Sequence, residues 1–171
     1  MIEARHPDGP GGQGPVTSDV LDIRLHRYDE PIVQELIAEL QAEYVVRYGD
    51  EDRSPVGPDD FTPPRGFFLV AWRGQDAVAS VAMRAVDDQP GTVEVKRLYV
   101  RPAHRRQGLA RMMLRGAEER ARGAGYRRVV LETGTEQPES LKLYAGEGYD
   151  EIPGYGYYAG LAHSVCFAKP L

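Results

Sequence analysis

Apolar positions in this chain change period several times after residue 19, and each change marks a candidate element. Residues 20–27 alternate, with Leu21, Ile23 and Leu25 set against Asp22 and Arg24, and a period of two predicts a strand. The period then lengthens. Ile32, Val33, Leu36, Ile37, Leu40 and Tyr44 share one helical stripe, with Asp29 as the expected N-cap, Pro31 in the first turn and an end near Gly49. Segment 50–66 carries four prolines and two glycines and reads as a long surface loop, of a length that usually serves function or moves. Residues 67–72 and 77–85 read as strands joined by the turn signal Arg73-Gly74-Gln75-Asp76, and 92–100 as a longer strand. A helix is expected from Gly108, with Leu109, Met112, Met113 and Ala117 inward and Arg115 paired to Glu119. Val129, Val130 and Leu131 form a short buried strand, and Pro138 opens a short helix carrying Leu141, Leu143 and Tyr144. Two last strands are expected near 149–152 and 164–168.

The order strand, helix, hairpin, strand, helix, strand, helix, strand, strand describes an α+β domain with α/β-like character. Its mixed sheet must contain a strand–helix–strand crossover. A length of 171 residues suits one domain, taken as 19–171, behind a Gly- and Pro-rich tail over 1–18 that is expected to be flexible. No internal repeat is visible.

Composition narrows the function classes. With 42 % hydrophobic and 27 % charged residues the chain reads as soluble, and no run of about 18 apolar residues suggests a membrane span. The N-terminus lacks a signal-peptide pattern, so a cytoplasmic protein is expected. A net charge of −5 argues against nucleic acid as the main partner. The single cysteine, Cys166, offers neither an internal disulfide nor a cysteine metal cluster, and no two histidines have ligand spacing, so no metal is expected.

Positive charge is concentrated over residues 96–128, where eleven Lys or Arg meet only Glu118 and Glu119. Within it, the strand ending Leu98-Tyr99-Val100 turns at Pro102 and passes through Arg105, Arg106 and Gln107 into a helix opening Gly108-Leu109-Ala110-Arg111. Helix N-termini present unpaired N–H groups and partial positive charge, small residues let a bulky anion approach, and arginine suits phosphate oxygens. The expected ligand is a pyrophosphate or something like it. Neither G-x-x-x-x-G-K-[ST] nor a G-x-G-x-x-G after a strand is present.

This segment resembles the acetyl-coenzyme A signature of the GNAT superfamily of N-acetyltransferases, [QR]-x-x-G-x-[GA]. A second block, Leu143-Tyr144-x-x-x-Gly148-Tyr149, is similar to that family's L-Y-x-x-x-G-[FY]. The resemblance covers residues 67–152 well and 20–48 in outline. Gln137 stands where many members carry an asparagine seven residues before the tyrosine, a departure from the pattern. The resemblance implies a mixed, mostly antiparallel sheet of six to seven strands with splayed central strands and about four flanking helices. It also implies acetyl-CoA as co-substrate and an amine acceptor, small-molecule or peptide, and leaves a homodimer open. The alternative is a non-catalytic acyl-CoA-binding sensor or interaction module on the same scaffold, which would need neither Glu94 nor Tyr144.

By the same resemblance, backbone N–H groups of Gln107, Gly108, Leu109, Ala110 and Arg111 would hold the pyrophosphate, with Arg105 and Arg106 adding charge. The backbone of Leu98 and Val100 would pair with the pantetheine arm, and the Leu98 N–H would polarise the thioester carbonyl. An alkylammonium with pKa about 10.4 must lose a proton before it attacks. Glu94 is the candidate base, placed by period two on one face with Lys96, Leu98 and Val100, although it reads equally as a strand glutamate paired to Lys96 or Arg97. Tyr144 is the candidate acid. Lys96 and Arg97 also suit an acceptor carboxylate, and the Tyr- and Gly-rich stretch 149–158 either walls the acceptor pocket or packs on neighbouring loops.

Overall fold

The computed structural model describes residues 20–171; the expected tail over 1–18 lies outside them. Each period change read from the sequence ends in an element. The strands are β1 (Leu21–His26), β2 (Gly66–Arg73), β3 (Asp76–Ala85), β4 (Thr92–Val100), β5 (Arg128–Gly134), β6 (Asp150–Ile152) and β7 (Ser164–Pro170). The α-helices are α1 (Pro31–Tyr48), α2 (Leu109–Gly123) and α3 (Pro138–Gly146). Where about four helices were expected, three α-helices form among the described residues, joined by single 3-10 turns at Pro58–Phe61, Pro102–His104 and Gly156–Tyr158.

The seven strands make one open sheet in the order β1-β2-β3-β4-β5-β7-β6. All neighbours run antiparallel except β4 and β5, whose parallel pairing requires the crossover through α2. Alternation along the strands divides the core in two. Phe67, Leu69, Val81, Met83, Val93 and Val95 face α2, which buries Leu109, Met113, Leu114, Ala117 and Ala121. Phe68, Val70, Ala82 and Tyr99 face α1, through Val33, Leu36 and Leu40.

Three local expectations are corrected. The N-cap of α1 is Glu30, not Asp29; the Glu30 carboxylate accepts the Arg27 N–H at 2.7 Å, while Asp29 turns out to the Arg27 guanidinium. Met112 is 47 % exposed, because the inward stripe runs through residues 109, 113 and 117 and leaves it on the flank. Arg115 reaches past Glu119 to Glu147 at the end of α3, 2.6 Å away.

The feature that positions everything else lies in the middle of the sheet. β4 and β5 pair only from Thr92↔Arg128 to Val95↔Leu131. Beyond Val95, β4 stays with β3 while β5 stays with β7, and the two separate. Ala82 opposes Lys96 and Ser80 opposes Tyr99, so Arg97 and Leu98 together face Val81: a β-bulge. Arg97 takes φ 56°, a left-handed conformation costing a non-glycine residue about 1–2 kcal/mol. It is held there by Ser80 Oγ donating to its carbonyl at 3.0 Å and by its own guanidinium donating to Asp52 at 2.6 Å.

In the same sheet, Gly66 opens β2 beside the first 3-10 turn. A Cβ there would lie 2.2 Å from the carbonyl oxygens of both Asp60 and Met83. Because both neighbours are backbone, Gly66→Ala should cost at least about 1–3 kcal/mol, the scale of core overpacking. Urea unfolding measures it, and a wild-type midpoint would contradict this close approach.

Candidate active site

The turn between β4 and α2 has two left-handed residues, Arg106 (φ 59°) and Gly108 (φ 79°). Gly108 is the N-cap of α2 and supplies no side-chain cap, so the first N–H groups of the helix are left for a ligand. A Cβ on Gly108 would meet no protein atom within 4 Å, so the glycine serves the backbone conformation and an open approach. A cavity of about 450 Å³ opens on this turn. Leu98, Val100, Arg105, Arg106, Gly108, Leu109, Ala110 and Arg111 line one side of it, with Glu43 and Arg47 of α1 and Gln137, Ser140 and Leu143 of α3 opposite. Of the expected set only Gln107 is not in the lining; its side-chain oxygen accepts from Arg73 at 3.0 Å. Arg105 is held back, with Nε donating to the Val100 carbonyl at 2.9 Å and the guanidinium paired to Glu43, while Arg106 is exposed.

The gap beside β4 continues this cavity. The Arg101 N–H donates to the Val78 carbonyl at 3.0 Å, and strand alternation then turns the N–H and C=O groups of Leu98 and Val100 toward the side β5 has left. Both backbone edges expected to meet an extended ligand therefore lie in one line with the turn.

A constriction of about 40 Å³ follows, lined by Val95, Leu98, Glu132, Thr133 and Tyr144 among others. It shares Leu98, Gln137 and Ser140 with the first cavity, and Tyr44, Asp52, Glu132, Thr133 and Gln137 with a third cavity of about 460 Å³ on the far side. That far cavity is walled by 50–53, by Tyr44 and Tyr48 of α1 and by 157–158 and 161–164. Helix α1 closes the passage over the gap, with Arg47 paired to Glu139 at 2.5 Å and donating to the Glu136 carbonyl at 2.9 Å.

Tyr144 is 6 % exposed, braced by the rings of Tyr149 (5.7 Å) and Phe167 (5.9 Å). Burial, with a smaller push from Glu132, raises its phenol above the ordinary tyrosine value, so it stays protonated and available as a donor. Glu132, which the sequence reading passed over, lies half-buried on β5 where the passage narrows, accepting from Ser164 Oγ at 2.8 Å. Burial raises its carboxyl above the ordinary 4.5, opposed by the Ser164 hydrogen bond and by Lys96. Its signal in the sequence was slight: one acid closing an otherwise apolar strand.

Glu94 is placed elsewhere. It is 3 % exposed, 2.7 Å from Arg84 Nε and accepting from Tyr155 at 2.9 Å, and it lines none of the three connected cavities. The bulge explains the error of period two. Val93 and Val95 before it and Leu98 and Val100 after it join one core cluster, so Glu94 and Lys96 do not share a face with Leu98 and Val100. Lys96 and Arg97, unlike Glu94, are part of the lining of the constriction, but both are bound to Asp52, at 3.3 and 2.6 Å. Burial alone would raise Asp52, but Lys96, Ser54 and Arg97 hold it well below the usual carboxylate range. The tyrosine-rich stretch divides, since Tyr157 and Tyr158 wall the far cavity while Tyr149 packs inward with its hydroxyl 2.7 Å from Glu118.

Comparison with known proteins bears on the family and the fold. The model of the acetyltransferase (GNAT) family matches residues 33–149. An IAA acetyltransferase of Azospirillum brasilense is 33 % identical over 139 residues, 81 % of this chain and 90 % of that protein. The N-acetyltransferase 8F1 of Rattus norvegicus is 39 % identical over 89 residues, 50 % of this chain but only 40 % of its own length. A Klebsiella pneumoniae structure, solved as a candidate acyl-CoA N-acyltransferase, superposes with a TM-score of 0.74 at 28 % identity, covering 90 % of this chain and 99 % of that one. A Bacillus subtilis acetyltransferase solved with CoA shares the fold at a TM-score of 0.63 and 17 % identity, covering 89 % and 99 %.

The Glu132 environment has a direct readout. In a carboxyl-resolved NMR titration its midpoint should lie above 4.5 and should move up further in Ser164→Ala, which removes the bond that favours the charged form. A midpoint at or below the ordinary value would contradict the burial assigned to it.

Proposed function

The chain belongs to the acetyltransferase (GNAT) family, and we propose that it transfers an acetyl group from acetyl-CoA to a primary amine held in the far cavity. One observation carries the reading: three cavities that share lining residues follow one another from the turn before α2, along the edge of β4 that β5 has left, to the far side, and Leu98, Glu132 and Tyr144 all line the narrowest of them.

The roles follow from position. The pyrophosphate sits on the N–H groups of Gln107, Gly108, Leu109, Ala110 and Arg111, with Arg106 adding charge. The pantetheine arm lies along Leu98 and Val100 as an added strand and delivers the thioester to the constriction. The acceptor enters from the far cavity, so nucleophile and carbonyl meet in a ternary complex. The amine nitrogen forms the C–N bond and gives its proton to Glu132, as the carbonyl oxygen gains charge that the Leu98 N–H stabilises. The C–S bond then breaks, with Tyr144 donating to the sulfur. A phenol raised by burial does not readily give its proton outright to a thiolate whose conjugate acid is near 8.5, so its proton moves in concert with the one leaving nitrogen.

Glu132 therefore takes the base role first considered for Glu94, because Glu132 lines the passage and Glu94 is occupied by Arg84 and Tyr155. Peptide amines are the second reading. Tyr157 and Leu161, half-exposed at the cavity wall, offer an apolar rim to an acceptor that extends outside it.

A screen of amines and peptides with acetyl-CoA, followed by thiol release, tests the activity, and variants test the roles. Glu132→Gln should lower kcat by about 10²–10⁴-fold, with the deficit shrinking as pH rises and free amine accumulates. In the wild type the acidic limb should fall at a higher pH than an ordinary glutamate gives, because the active form is the carboxylate and its pKa is raised. Tyr144→Phe should lower kcat by about 10–1000-fold at nearly constant melting temperature. Normal turnover in Glu132→Gln with a slow Glu94→Gln would return the base role to Glu94.

A further inference from the structure

Lys96 is a cation sealed inside the protein, with its side chain 6 % exposed. An ammonium has three donors, and here each has a partner. Nζ donates to Ser54 Oγ at 2.7 Å, to Tyr158 Oη at 2.5 Å and to Asp52 Oδ2 at 3.3 Å, and it also lies 5.2 Å from the centre of the Tyr158 ring. These partners come from two segments far apart in sequence. Asp52 and Ser54 belong to the loop leaving α1, and Tyr158 to the 3-10 turn before β7. Residues of both segments wall the far cavity, 50–53 on one side and 157–158 with 161–164 on the other.

The neighbouring positions of β4 and β3 hold one wall each or a more distant part of a wall. Glu94 accepts from Tyr155 on the second segment, Arg97 donates to Asp52 on the first, and Arg84 donates to the Pro55 carbonyl. Only Lys96, among the described residues, is recorded donating to both segments from a single atom. An unpaired buried cation is costly, so the energy that keeps Lys96 inside is also the energy that keeps both segments closed on it.

We propose that Lys96 is a positioning residue that clasps the two walls of the acceptor cavity together on β4 and thereby sets affinity for the acceptor but not for acetyl-CoA. The second half of that statement rests on the acetyltransferase reading given above; the clasp itself does not. The cofactor cavity shares neither wall segment, because its lining comes from α1, the last residues of β4 beyond Arg97, the turn that follows and the start of α3.

The test uses the full chain carrying Lys96→Met, which keeps an unbranched side chain one atom shorter and removes all three donors. Trypsin cleavage after Arg53, in the first wall, should accelerate by about tenfold or more, the scale of losing hydrogen bonds to a charged group. With an acceptor found by the thiol-release screen, KM for the amine should rise by about the same factor, while the acetyl-CoA Kd measured by calorimetry changes less than twofold. The variant pair Ser54→Ala and Tyr158→Phe, which leaves Lys96 in place, should each give part of the effect. It supplies the answer if Lys96→Met does not fold. Unchanged cleavage at Arg53 in these variants would overturn the clasp. A parallel loss of acetyl-CoA affinity would overturn its selectivity for the acceptor side. Absence of turnover in the wild type with every amine would count against the acetyltransferase reading alone, since the cleavage assay needs no acceptor.

Discussion

Backbone hydrogen bonding at one strand governs this protein. β4 leaves β5 after four paired positions, yet beyond Val95 the outward N–H groups of Leu98 and Val100 and the Leu98 carbonyl still need partners, while the Val100 carbonyl accepts from Arg105 Nε. A strand with one edge satisfied by β3 and the other facing a cavity is a template for an extended polar ligand. The turn before α2 lies at the end of that template. In the reading proposed above, cofactor phosphate, cofactor arm and reacting carbonyl would follow one another along this single structural element.

The divergence is maintained at a cost. Arg97 adopts a left-handed backbone without being glycine, and its guanidinium is buried. Strain of this kind persists only where the surroundings over-determine it. Here Ser80 fixes the Arg97 carbonyl and Asp52 fixes the charge, so the loop after α1 helps hold the sheet open. The same Asp52 joins Lys96, which connects the loop to Tyr158. The bulge that opens the gap beside β4 and the polar cluster that joins the walls of the far cavity are consequently one connected network.

Much of the fold was legible because periodicity reports which face is buried. The stripe from Val33 to Leu40, the unbroken apolar run of β2 and the order of elements all follow from burial, which sequence encodes directly. The shape of the turn before α2 was legible for a different reason: a glycine at a strand-to-helix junction has a local physical meaning, and Gly108 is the left-handed N-cap. What escaped depends on long-range pairing. Nothing near Arg97 signals a bulge, since its causes, Ser80 and Asp52, lie 17 and 45 residues away. Period two consequently put Glu94 on the wrong face relative to Leu98. Glu132 escaped for the same reason, because its place at the passage comes from β5 staying with β7. Arg105 was expected to serve phosphate; its pairing with Glu43 of α1 could not be read from the turn itself.

The account stands on the claim that acetyl-CoA occupies the gap between β4 and β5. Residue-resolved amide hydrogen exchange, measured with and without acetyl-CoA, addresses it directly. Exchange should slow at Leu98 and Val100 together with residues 107–111, because the same ligand covers the strand edge and the helix start. Slowing confined to the loops around the far cavity, with Leu98 and Val100 unchanged, would contradict it.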